Sequence, residues 1–338
     1  MNIKSKTLKN PVRADDLNTY HSGDLGLYVL RTLKAFLNSA ASPDSADNIP
    51  YRRKGTSLKE NVPCKANDGP SPATVATQYL LHDQSRVIQD FEDAASPSNI
   101  DSSEMRQLSA LTKREEFQTW LREDSSKATK LLIHGGLDDD SSTLSALSYL
   151  CARIPMEYLR KARTGIICLH YFCSLQRARR DHPAGAFDIA RSLCGQLLTH
   201  AELASAFDLS FLDEKWLRGI REEQSFVKTC QLFLRLLKQL DGRKKAMMVF
   251  CFIDSISLYE TGKLRHDTER LFSSLEEYSK SQRRRQRGKR PKLIFKLLVT
   301  DAMATGYVRK YFRRKGEMID MDEGDERDDD VDLDVLYG

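Results

Sequence analysis

No stretch of this 338-residue chain is apolar for long enough to cross a bilayer, the longest run being Ala246–Ile253. No apolar leader precedes the first charged residues, so the sequence reads as neither membrane-spanning nor secreted. The seven cysteines form no CxxC pair and sit mostly in apolar runs, which excludes a disulfide framework and points to reduced, buried thiols inside a cell. His170 and Cys173, three apart on an expected strand, would face opposite sides, so zinc is not expected there. An apolar share of 40% suffices for a core, and 30% charged residues speak for a cytoplasmic chain.

The most informative absence lies in Leu131–Leu150, LLIHGGLDDDSSTLSALSYL. Leu131–His134 suits a buried strand, Gly135–Gly136 frees the backbone, and Ser141–Ser142–Thr143 offers N-caps to an apolar helix beginning at Leu144. Strand, loop and helix in this order is the layout of a phosphate-binding loop, G-x-x-x-x-G-K-[S/T]. Gly135 falls on its first glycine and Ser142 on the hydroxyl that would bind magnesium, but Asp140 replaces the second glycine and Ser141 the lysine. Asp138–Asp140 fill the loop with carboxylates, which also serve as ordinary helix-start charges. One like-charge contact at ~4 Å costs roughly 4 kcal/mol at an effective dielectric of 20. Losing the lysine removes an attraction of similar size. A triphosphate in the usual pose is therefore disfavoured, though a divalent cation would partly offset the repulsion.

Charge of one sign is also unevenly distributed. Nine basic residues and no acids lie between Lys280 and Lys296, whereas ten acids stand against Arg327 between Asp320 and Asp334. The two blocks could meet within the chain. Arg283–Lys292 reads first as a solvated loop, then as a nuclear-import signal, and last as a nucleic-acid contact, since no aromatic residue is interleaved to stack on bases.

Along the chain, Asp24–Ala40 reads as an amphipathic helix, with Leu25, Val29, Leu33 and Phe36 on one stripe. Residues 41–75 carry five of the ten prolines and read as a disordered linker. Helices are expected over 76–94 and 103–123, then strands and helices alternate. Strands are expected at Leu131–His134, Gly165–Cys173, Ala246–Ile253, Leu293–Thr300 and Glu317–Met321, and helices from Pro183 to about His200, over Glu223–Leu240 and over Leu264–Ser281. The pattern predicts a three-layer α/β domain over 126–322 with a mainly parallel five-stranded sheet. A helical lead-in at 76–125 and an N-terminal helix and linker at 1–75 precede it, and an acidic tail at 323–338 follows.

Asp254 ends the strand Ala246–Ile253 as the carboxylate of a Walker B element does, and the next strand ends at Val299–Thr300–Asp301, where a sensor residue would read a γ-phosphate. Trp120–Leu121 before LLIHG, Phe172–Cys173 after the second strand, and the run Ser192–Leu198 complete the set. Together these residues resemble a NACHT-type P-loop domain, in particular the short nephrocystin-like proteins of filamentous fungi. The resemblance implies a P-loop NTPase-like fold over about residues 105–325, with Gly135, Gly136, Ser141, Ser142, Thr143, Asp254 and Thr300 at the nucleotide and Ser142 and Asp254 at magnesium. The family's Asp-x-x-Asp-Glu is here Asp254–Ser255–Ile256–Ser257–Leu258, and Glu260 stands two positions late. Lysine and water-activating acids being absent, the expectation is a non-catalytic signalling or protein-interaction module, with protein partners or self-association. The alternatives are a switch holding ATP, ADP or GTP with magnesium but not hydrolysing it, and a nuclear, nucleic-acid-associated protein working through residues 283–292.

Overall fold

The computed structural model describes residues 29–35, 71–96, 100–122, 129–135, 144–160, 165–178, 185–203, 206–243, 246–285, 292–303 and 305–321. The expected linker up to residue 70 and the acidic tail from residue 322 lie outside these. Among the described residues no helix is long and apolar enough to cross a membrane.

Five strands form one sheet: β1 (Lys130–His134), β2 (Ile166–Phe172), β3 (Met247–Asp254), β4 (Leu293–Asp301) and β5 (Met318–Asp320). Their order is β2-β3-β4-β1-β5 and every pairing is parallel. The fold is therefore α/β, and the sheet is wholly parallel rather than mainly so. The reason is visible in β3, whose eight residues are all buried: a strand covered on both faces needs no polar alternation.

The described helices are α1 (residues 29–35), α2 (Pro72–Tyr79), α3 (Gln84–Ala94), α4 (Ser102–Leu111), α5 (Glu115–Leu121), α6 (Ala146–Arg160), α7 (Cys173–Ala178), α8 (Ala186–Thr199), α9 (Glu214–Arg221), α10 (Phe226–Asp241) and α11 (Leu264–Arg285). They cover both faces of the sheet. Val249, Cys251 and Ile253 pack with Leu193 and Leu197 of α8, Phe233 and Leu237 of α10 and Leu271 of α11. Met248, Phe250 and Phe252 point the other way, toward Phe117 and Trp120 of α5 and Leu147, Leu150 and Ile154 of α6. Trp120 meets Phe250 and Phe252 edge-on at 5.8 and 6.2 Å between ring centroids. Val29, Leu30 and Leu33 of α1 join this second core, so the amphipathic segment docks on the domain.

Two expected helices are each broken in two. The first splits where Leu81 takes φ +49° and Asp83 caps α3 by accepting from the Arg86 N–H at 3.1 Å. The second splits after Thr112, whose hydroxyl donates to the Ser109 carbonyl, while the Gln118 amide ties the Thr112 and Lys113 carbonyls at 3.1 and 3.0 Å. Side chains that satisfy backbone groups at a break make it affordable. Cys173 does not end a strand but begins α7.

Lys296, midway along the buried β4, is fully enclosed. Its Nζ donates to the Trp120 and Arg122 carbonyls at 2.6 and 2.8 Å, satisfying the end of α5. That contact fixes the lead-in helices against the central strand.

Candidate functional site

The register aligns the carboxyl ends of the three central strands. His134 lies opposite Asp301, and Asp254 opposite Thr300. Ligands of parallel α/β sheets bind beyond such ends, and the residues that gather here are Gly135, Asp254, Thr300 and Asp301. Gly135 leaves β1 with φ +80°, a conformation open to glycine at little cost, and its N–H donates to the Asp301 carbonyl at 3.2 Å.

The helix after this turn starts later than its sequence suggests. Leu144 is buried and non-helical, and α6 begins at Ala146. The cap is Ser145: the Ser148 N–H donates to Ser145 Oγ at 3.3 Å, and the Ser145 N–H donates to Ser148 Oγ at 3.0 Å. This reciprocal pair does what was assigned to Ser141–Ser142–Thr143. Gly136, Ser141, Ser142 and Thr143 lie outside the described residues.

Asp254 is the hub. Ser148 Oγ and Ser255 Oγ donate to its Oδ2 at 2.7 and 2.9 Å, and Thr300 Oγ1 donates to its Oδ1 at 2.7 Å. The Cys151 sulfur lies 3.3 Å from the same Thr300 oxygen. Asp254 is 1% exposed, and burial raises its pKa above the ordinary value while the Ser148, Thr300 and Ser255 hydroxyls pull it down. Burial, with Asp254 nearby, holds the Cys151 and Cys173 thiols well above their usual range, which disfavours the thiolate in both.

Asp301 points to the opposite face of β4. It accepts from the Ser257 N–H, from Ser257 Oγ at 2.9 Å and from the Met303 N–H at 2.9 Å. Desolvation lifts its pKa to about 7; the Ser257 and Met303 bonds oppose that shift and the Asp254 charge adds to it. Ser255, between the two sites, takes the left-handed conformation at φ +57°. Glu260, the acid standing late in the sequence, is committed elsewhere. Its carboxylate accepts from the Gly306 and Tyr307 N–H groups at 2.8 and 3.1 Å and from the Val308 N–H, pinning the loop after β4.

Among the described residues, the groups nearest a magnesium–nucleotide are bonded to one another. Both Asp254 oxygens already accept from hydroxyls, and the first turn of α6 is closed by Ser145 and Ser148. Among the described residues, no three His, Cys, Asp or Glu side chains are grouped to hold a metal. His170 is buried against α3, with its ring Nε2 3.2 Å from the Val87 carbonyl; burial pushes its pKa down to about 4.

Of the sequence-expected site residues, Gly135, Asp254 and Thr300 come together. Asp301 was expected only as the end of its strand, and Ser148, Ser145, Ser257 and Cys151 were not foreseen as members. Ser148 carried a usable signal, being a hydroxyl in the first turn of an apolar helix that follows a glycine-bearing strand end. No protein-family model matches the chain, and no curated protein matches it.

Proposed function

We propose that this chain is a NACHT-like P-loop domain kept as architecture, a signalling or protein-interaction module that does not hydrolyse nucleotide. The observation that carries the reading is the engagement of both Asp254 oxygens by the Ser148, Ser255 and Thr300 hydroxyls. A carboxylate that holds magnesium needs a lone pair directed at the ion or its water. Here the carboxylate instead ties α6, β3 and β4 together. The strand order supports the P-loop part of the reading, because β4, bearing Thr300, runs between the strand of Gly135 and the strand of Asp254. The missing lysine and the commitment of Glu260 to three backbone N–H groups support the absence of turnover.

The test is ATP and GTP turnover by the purified chain with magnesium, alongside isothermal titration at millimolar nucleotide. No turnover and no heat of binding are expected. Turnover abolished by Asp254→Ala would overturn the proposal. Binding without turnover would favour a second reading, a nucleotide-holding switch. The observation behind that alternative is that the Asp254 charge helps to raise the pKa of Asp301, a repulsion that a divalent cation would relieve.

A further inference from the structure

The end of the domain opposite Asp254 carries a charge feature that the proposed function does not use. Arg284 lies in the last turn of α11, Lys292 immediately precedes β4, and Arg313, Arg314 and Lys315 precede β5. All five are exposed, and among the described residues none has an acidic partner within ion-pair distance. They belong to segments separated in sequence, and the amino-terminal edge of the sheet collects them. Two contacts fix that convergence: the Lys292 carbonyl accepts from the Met247 N–H at 2.8 Å, and Glu317 bridges α11 and the turn before β5. Glu317 lies 3.8 Å from Arg283 and accepts from the Arg314 N–H at 3.2 Å.

Two of the nearby acids, Glu317 and Glu276, are already engaged. Glu317 also pairs with the buried Lys130 at 3.2 Å, and Glu276 lies 3.7 Å from Lys130 and 3.1 Å from Lys280. Glu116 of α5 lies beside Gly316 and is half-buried. The surface is therefore a set of cations, three of them guanidinium forks suited to carboxylate or phosphate oxygens. Phe312, the aromatic nearest in sequence, is buried, and Tyr311 is stacked on Phe272 with its hydroxyl donating to the Glu269 carbonyl at 2.9 Å. Among the described residues, nothing here offers a stacking platform for bases or an apolar anchor for a membrane.

We propose that Arg284, Lys292, Arg313, Arg314 and Lys315 form a polyanion-binding face whose occupant is the acidic stretch Asp322–Asp334 of the same chain. Charge complementarity supports this: that stretch has nine carboxylates against Arg327. Reach supports it too. Met321, whose N–H donates to the His134 carbonyl at 2.9 Å, stands one short strand away from Arg314. The thirteen residues 322–334 span up to about 40 Å when extended, several times the length of β5. A tethered segment acts at an effective concentration in the millimolar range, so it screens the face from external polyanions at lower concentration.

The test compares the full chain with a full-length variant in which every Asp and Glu of residues 322–334 becomes Asn or Gln. The probe is a 20-base-pair DNA duplex, titrated by fluorescence anisotropy over a salt series. The neutralised variant is expected to bind at least about tenfold more tightly at low salt, with a log–log salt slope near about −4.5 for five contacts. Adding R313Q, R314Q and K315Q should remove the gain and flatten the slope by about 3. Circular dichroism checks that each variant stays folded. Equal affinity of the parent and neutralised chains overturns the proposal, as does a gain that survives the triple substitution. Carbodiimide coupling supplies a second readout: links from Lys292 or Lys315 to residues 322–334 within monomers support the proposal, and links found only between chains overturn it.

Discussion

Replacing Asp254 by alanine separates a structural hub from a metal ligand. The substitution strips the acceptor from Ser148, Ser255 and Thr300, two of which, Ser148 and Thr300, are fully enclosed. Ser148 keeps its bonds with Ser145, and Ser255 is half-buried, so Thr300 is left with the weakest alternative, the Cys151 sulfur. A buried polar group left without a partner costs about 1–3 kcal/mol. One such group, the weakened others and the small void sum to about 3 kcal/mol, reduced somewhat because Asp254 is itself desolvated. For a domain of this size that corresponds to a fall of about 6–10 °C in Tm. Asp254→Asn should cost far less, about 1 kcal/mol, because the amide oxygen still accepts from the hydroxyls on its side and a hydroxyl facing the NH2 group can turn and accept from it. The assay is differential scanning fluorimetry of the parent, Asp254→Ala and Asp254→Asn, with and without magnesium and ATP. The reasoning fails if Asp254→Ala melts with the parent in the absence of ligand while the parent alone gains several degrees from magnesium–ATP.

Other perturbations probe neighbouring parts of the same edge. In Asp301 the folded-state pKa of about 7 exceeds the ordinary 3.8, so the native state holds the proton more tightly. Its contribution therefore lowers stability as pH rises from about 4 to 7 and is level above that, by at most about 4 kcal/mol. Subtracting the stability curve of Asp301→Asn from that of the parent should isolate this slope, and a flat difference would refute it. Ser145→Ala removes the cap of α6 and should cost about 1 kcal/mol, or 2–4 °C in Tm. Glu260→Ala should speed amide exchange at Gly306, Tyr307 and Val308 while leaving that of β3 unchanged, as hydrogen exchange read by mass spectrometry would report.

Local pattern alone determined the central strands, because β1, β3 and β4 are runs of residues buried almost throughout. Ala246–Ile253 and Leu293–Thr300 are β3 and β4 to within a residue or so. The same pattern made Gly135, Asp254 and Thr300 visible as strand-end residues. Helix breaks and caps were less legible, since the choice between Ser141 and Ser145 depends on which leucine the core takes in. The core took in Leu144, which delayed α6 to Ala146. What only the tertiary structure decided is who shares a site. The parallel register sets Asp254 beside Thr300 and under Ser148, buries Lys296 against the end of α5, and binds Glu260 to a loop more than forty residues away. Burial follows from side-chain chemistry, which composition records position by position, whereas partnership depends on how strands are ordered in the sheet, and no single segment carries that information.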